Sequence, residues 1–266
     1  SRRGLLDLYQ GWNYELVVPP MIEYAESLII NSKSIDQKTF KFLDSVSGQM
    51  LGVHSDITPQ IARIDSKRSI AKKGNRYCYI NSILQTKADD FYASRSPIQA
   101  GAELYGNKAI DADIEIIELM LASLALLGVK DITLSFGNTA IFNGLCEYAE
   151  LNNQDIATLR DIFRRKSVPD LTDFFSNNEI NHADKFRSLI SLDGEQGVLD
   201  QALKLFEEFP EIISAITNLE RLHESFKDSN LNLMFDLGEV KAYEYHNGLV
   251  FAAYHSSFSK ALAQGG

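Results

Sequence analysis

Ser94-Arg95-Ser96-Pro97-Ile98-Gln99-Ala100-Gly101-Ala102-Glu103-Leu104-Tyr105-Gly106 is the stretch around which the rest of the chain organises. Ser96 to Tyr105 is an extended run, and in a strand side chains alternate between faces. Gln99 and Glu103, four residues apart, therefore share a face. Upstream, Arg76-Tyr77-Cys78-Tyr79-Ile80 is a second alternating aromatic run, and the polar stretch Thr86-Lys87-Ala88-Asp89-Asp90 lies between the two. The pair predicts two antiparallel strands joined by a long loop. Further upstream, Asp56-Ile57-Thr58-Pro59 reads as a helix start, with Asp or Thr as cap and Pro in the first turn, leading into Gln60-Ile61-Ala62-Arg63.

Towards the start, Leu5 to Tyr14 has helical spacing and feeds the strand Glu15-Leu16-Val17-Val18, ended by Pro19-Pro20. This helix opens without a capping residue, so the sequence reads as starting inside an element. Thr39 to Leu43 and Gln49 to Val53, turning at Gly48, predict a hairpin. Asp111 is expected to cap a helix that runs to Leu127 and stops at Gly128, followed by the strand Ile132-Leu134-Phe136. From Thr139 to about Lys227 the pattern is helical; strands return at Leu231-Leu233-Phe235 and from Tyr243 to Tyr254 around Asn247-Gly248. The expectation is an α+β fold whose strands, drawn from residues 1–138 and 228–266, make one mixed, mainly antiparallel sheet flanked by helices, with 139–227 as a mainly helical insertion.

The 266 residues are 45% hydrophobic and 23% charged, the composition of a chain able to bury a core. The formal charge of -10 opposes a nucleic-acid surface, which needs a concentrated positive field. No run approaches the length of a membrane span, and Ser1-Arg2-Arg3-Gly4 does not begin a signal peptide, so the expected location is the cytoplasm, without membrane partners. Cys78 and Cys146 lack the spacing of a disulfide framework or zinc site, and His54, His182, His223, His246 and His255 lack metal-ligand spacing. No metal or cofactor is therefore expected. Phosphate-binding glycine loops and a nucleophile elbow are also absent.

Asp56, Thr58, Gln99 and Glu103 would suit a small zwitterion: one carboxylate for an ammonium, a hydroxyl and an amide for orientation, a second carboxylate for a polar ring or cation. Spacing leaves the plainer roles open. Asp56 and Thr58 equally suit a helix cap, and Gln99 and Glu103 a solvated strand face. His246, in an aromatic run with Tyr243 and Tyr245, could line a pocket or simply pack in a strand.

The order of these segments resembles the class II aminoacyl-tRNA synthetase fold of the histidyl-tRNA synthetases. Gly11-Trp12-Asn13-Tyr14-Glu15-Leu16-Val17-Val18-Pro19-Pro20 looks like class II motif 1, which builds a dimer interface; Ser94 to Gly106 resembles the second half of motif 2; Asp56-Ile57-Thr58-Pro59 with Arg63 resembles the amino-acid-binding segment. By this resemblance Asp56, Thr58 and Gln99 match positions that hold a histidine α-amino group, Glu103 matches its imidazole partner, and Tyr245 and His246 match a tyrosine pair in the same pocket.

The departures fall on the nucleotide side. Counting back from Gly101, Gln85 stands where motif 2 carries the arginine that grips the ATP α-phosphate, and Lys87 where a glutamate helps hold adenine. A neutral amide cannot offset phosphoryl charge as a guanidinium does. Asp89 and Asp90 put like charge where polyphosphate would approach, Arg95 alone survives as a base, and Lys241 replaces a histidine-specific arginine. A kept histidine pocket beside degenerate ATP positions Gln85, Lys87, Arg95 and Lys241 resembles the regulatory subunits of short-form ATP phosphoribosyltransferase, as do Arg2-Arg3-Gly4-Leu5-Leu6-Asp7-Leu8 and Leu249-Val250-Phe251-Ala252-Ala253-Tyr254. The resemblance implies a non-catalytic partner of the short catalytic subunit, homodimeric within a hetero-octamer, that activates it and takes L-histidine as effector in the first step of histidine biosynthesis. The alternative is a histidyl-tRNA synthetase catalytic core.

Overall fold

In the computed structural model, residues 2–29, 33–68, 74–88, 93–240, 248–258 and 260–266 are described. They fall into two compact units divided after Gly128.

In the first unit, helix α1 (Arg2–Gly11) leads through a tight turn, with Asn13 at φ 63°, to strand β1 (Glu15–Leu16). Then come β2 (Ile22–Tyr24), α2 (Ala25–Leu28), α3 (Lys33–Lys38), β3 (Phe40–Leu43), β4 (Met50–Val53), α4 (Thr58–Asp65), β5 (Asn75–Ser82), β6 (Ile98–Tyr105) and α5 (Ile110–Leu126). The predicted antiparallel pair is β5 and β6, and β1 joins β5 in parallel. Because β5 is central and covered on both faces, the run Tyr77-Cys78-Tyr79-Ile80 is buried throughout. Cys78 and Ile80 pack with Leu5, Tyr9, Tyr14 and Leu119; Tyr77 and Tyr79 pack on the opposite side with Ile57, Ile61 and Ile83. Burial pushes the Cys78 thiol up to about 11, so it is a packing residue.

One polar knot ties these layers. Arg76 grips Glu115 of α5 with two hydrogen bonds of 2.7 Å, and the buried Tyr14 hydroxyl donates to the same carboxylate at 2.8 Å. The Arg76 guanidinium holds the Glu115 carboxyl below its ordinary range.

The predicted hairpin is β3–β4, to which β2 adds on the other side of β4. Register places Ile22, Val53 and Phe40 in one row and Tyr24, Leu51 and Phe42 in the next, all on one face. On the opposite face Gly52 lies against Leu28 and Thr39. The apolar face is open: Ile22, Tyr24 and Phe42 are 48%, 47% and 41% exposed.

The second unit contains β7 (Ile132–Asn138), α6 (Thr139–Tyr148), α7 (Asn153–Arg165), α8 (Val168–Asn177), α9 (Ala183–Leu189), β8 (Asp193–Gly194), α10 (Gly197–Leu205), α11 (Pro210–Phe226), β9 (Asn232–Asp236), β10 (Leu249–His255) and β11 (Ala263–Gly265). Its sheet runs β11-β10-β7-β9-β8, with β7 and β9 parallel. Asn138, Asn152 and Ser167 cap α6, α7 and α8 with their side chains. Cys146 is buried and free, its thiol pushed up to about 12.

Two expectations change. The described strands form three sheets rather than one, since alternation marks a strand without saying which edge pairs with which. Ala109, not Asp111, is the N-cap of α5; Asp111 and Asp113 lie in the first turn, where acid complements the helix dipole. Among the described residues no helix is long and apolar enough to cross a membrane, and no group of three or more His, Cys, Asp or Glu is placed to hold a metal ion.

The Tyr14–Glu115 bond can be tested alone, because Phe keeps the ring and deletes only the hydroxyl. Tyr14→Phe is expected to cost about 1.5–3 kcal/mol in urea unfolding, the range for a hydrogen bond to a charged group. A loss under about 0.5 kcal/mol would show that Arg76 alone satisfies Glu115.

Candidate functional site

Asp56 and Thr58 lie where β4 gives way to α4, and Gln99 and Glu103 lie on β6, so all four belong to the first unit. The structure brings them together as two linked pairs. Gln99 Nε2 donates to Asp56 Oδ1 at 2.8 Å, and Gln99 Oε1 accepts the backbone N–H of Ile57 at 3.0 Å. Asp56 Oδ1 also accepts the Thr58 backbone N–H at 3.2 Å. The Thr58 hydroxyl donates to Glu103 Oε1 at 2.8 Å. Thr58 thus turns its side chain into the site rather than onto the helix end, and β6 presents a half-buried polar face instead of a solvated one.

Two residues that the spacing argument passed over complete the knot. The Tyr79 hydroxyl lies 3.0 Å from Thr58 Oγ1 and 3.3 Å from Glu103 Oε1. The Tyr105 phenol also favours the charged form of Glu103. The signal for Tyr79 lay in the Gly-Ala-Glu run: Gly101 is the cross-strand partner of Tyr79, and a Cβ at that position would meet the Tyr79 ring and hydroxyl at 2.4 Å. Only a bare backbone lets the ring lie across β6 and reach Thr58 and Glu103.

Glu103 keeps a little accessible surface yet is densely surrounded, and burial raises its carboxyl from 4.5 to about 7; the Asp56 charge adds to the rise, while the hydroxyls of Thr58, Tyr79 and Tyr105 oppose it. Burial first, then the Glu103 and Asp56 charges, also pushes the Tyr79 phenol far above its ordinary value, so it stays a hydroxyl donor. The site is therefore a pair of carboxylates, one titrating near neutrality, with hydroxyls and an amide fixed between them. That suits a ligand bearing an ammonium and a second polar N–H group.

The nucleotide-side positions are arranged differently. Gln85 is buried; its Nε2 donates to the Ser55 carbonyl at 3.3 Å, and its backbone carbonyl accepts Arg95 Nε at 3.1 Å. Its amide holds the backbone next to Asp56. Arg95 lies over the Phe40 ring at 5.0 Å, and Lys87 is exposed. Lys241, Tyr245 and His246 lie outside the described residues.

Comparison with known proteins agrees with this architecture. Residues 1–266 match the family model described as histidyl-tRNA synthetase. An ATP phosphoribosyltransferase regulatory subunit/histidyl-tRNA synthetase from Bacillus halodurans has the same fold, with TM-score 0.84 at 23% identity over 98% of this chain and 68% of that one. The ATP phosphoribosyl transferase complex from Thermotoga maritima matches with TM-score 0.72 at 18% identity over 99% and 89%. The fold is thus that of the class II, histidyl-tRNA synthetase-like proteins. Within it, the ATP phosphoribosyltransferase regulatory subunit of Thioalkalivibrio sulfidiphilus is 40% identical over all of this chain and 69% of its own length, and that of Thiobacillus denitrificans 40% identical over all of this chain and 82% of its own. The chain belongs to the ATP phosphoribosyltransferase regulatory subunit family.

The raised Glu103 carboxyl fixes a sign. Its folded form holds a proton more tightly than the unfolded chain, so unfolding releases that proton and rising pH favours unfolding. Stability relative to Glu103→Gln should fall between about pH 4.5 and about pH 7, by on the order of 3 kcal/mol, and stay level outside that window. Parallel pH profiles for the two proteins would contradict the burial of this carboxylate.

Proposed function

We propose that the chain is a non-catalytic regulatory subunit that acts in the cytoplasm on the short ATP phosphoribosyltransferase catalytic subunit. It binds and activates that subunit and makes it responsive to L-histidine, the end product of the pathway. In this reading Asp56, Thr58 and Gln99 hold the α-amino end of histidine and Glu103 pairs with its imidazole, while Tyr245 and His246 are assigned to the same ligand by resemblance alone. The observation that carries it is an asymmetry within one site. The Thr58–Glu103–Tyr79 knot and the Asp56–Gln99 pair gather two carboxylates, two hydroxyls and an amide, while Gln85 is buried against the Ser55 carbonyl. Kinship with proteins named regulatory subunits supports the choice of partner.

Regulation of this kind needs two states of the assembly that bind histidine unequally; a coupling of about 1–3 kcal/mol gives a 5- to 150-fold effect. The test is a phosphoribosyltransferase assay of the short catalytic subunit. Activity should rise on adding this chain and fall again with L-histidine. Glu103→Ala should still activate, with the histidine inhibition constant raised about tenfold or more. Inhibition unchanged in Glu103→Ala would place the effector elsewhere. Histidine-dependent pyrophosphate exchange by the chain alone is expected to be absent; its presence would favour the synthetase reading.

The chain is further read as a homodimer within a hetero-octamer, with the open β2–β4–β3 face as part of the seam. Six apolar side chains in two rows form a partly exposed face of the kind that a second copy could cover. Light scattering after size exclusion should give a dimer, and Ile22→Asp with Phe42→Asp should weaken it about 30-fold or more. A dimer unaffected by both changes would move the seam to another surface.

A further inference from the structure

His54 is fully buried in the segment between β4 and α4, and the site as described makes no use of it. Its Nε2 lies 2.8 Å from the Ser82 carbonyl oxygen and its Nδ1 2.8 Å from Gln60 Oε1. A carbonyl oxygen only accepts, so Nε2 carries a hydrogen. The orientation of the Gln60 amide is fixed from its other side. Gln60 Nε2 donates to the Pro20 carbonyl at 2.8 Å and to Glu23 Oε2 at 2.9 Å, which leaves its oxygen facing His54. Nδ1 therefore carries a hydrogen as well.

The alternatives each leave a buried acceptor against another. Turning the Gln60 amide would set its oxygen against Pro20 O and Glu23. Turning the imidazole would offer carbon atoms to two buried oxygens, and a neutral ring would hold a nitrogen lone pair 2.8 Å from an oxygen lone pair. Glu23 on β2 stands behind Gln60 and is shared with Arg63 of α4; Asp56 lies two residues along the same segment; Ser82 at the end of β5 and the buried Gln85 bring no charge.

We propose that His54 is a positioning residue held as an imidazolium. Its two N–H groups clamp the 54–58 segment between α4 and the end of β5, and so set where Asp56 and Thr58 present their polar atoms. The positioning role rests on the amino-acid reading of the site, whereas the protonation rests on the hydrogen-bond chain alone.

Nitrogen-detected NMR of the unmodified chain reads the ring directly. Both His54 ring nitrogens should carry a hydrogen; a single-proton tautomer would overturn the assignment. Positioning is read from amide hydrogen exchange of Ile57 and Thr58, whose N–H groups bond Gln99 and Asp56. Exchange there should accelerate about tenfold in His54→Gln and remain near that of the unmodified chain in His54→Arg, which keeps a multi-donor cation. No acceleration in the Gln variant, or equal acceleration in both, would overturn the positioning role. If the unmodified chain binds no L-histidine, the amino-acid reading fails, while ring spectrum and exchange still decide His54.

Discussion

The hydrogen bond from the Thr58 hydroxyl to the Glu103 carboxylate is the constraint on which the site depends. It joins the first turn of α4 to the C-terminal half of β6, and so fixes the two elements that carry Thr58, Gln99 and Glu103. A carboxylate in that position is costly unless donors surround it. Tyr79 and Tyr105 supply the remainder, and Tyr79 can do so because Gly101 leaves its ring a path across the strand. One glycine without a side chain thus determines where a hydroxyl sits, and that hydroxyl helps decide the state of an acid.

Buried polar side chains also brace the loop that leads into α4. The segment carrying Asp56 is supported from behind by buried polar side chains, with Gln85 on the Ser55 carbonyl, Thr39 on the Ser55 hydroxyl, and His54 on Gln60 and Ser82. The Gln85 amide turns inward and braces the loop.

Much of the fold was legible because its signals are local. The β5–β6 pair followed from two alternating runs, α4 from Pro59 at a helix start, the β3–β4 hairpin from Gly48, which adopts φ 70°. What stayed hidden is non-local. No periodicity says that Tyr79 will reach Glu103 across Gly101, since that depends on register between strands, and no pattern separates β1-β5-β6 from the other two sheets. Gln99 and Glu103 were visible as a shared face, but whether that face met water or protein was decided by the docking of α4 against Tyr77 and Tyr79. His54 offered nothing beyond its position in the chain; its role emerges only when donors and acceptors are counted around it.

The central claim is that this site recognises an amino acid without a nucleotide. Calorimetric titration of the chain with L-histidine, repeated in the presence of ATP and magnesium, tests it most directly. The account requires saturable histidine binding of the same affinity in both titrations. Absence of histidine binding, or binding that tightens when ATP is added, would contradict it.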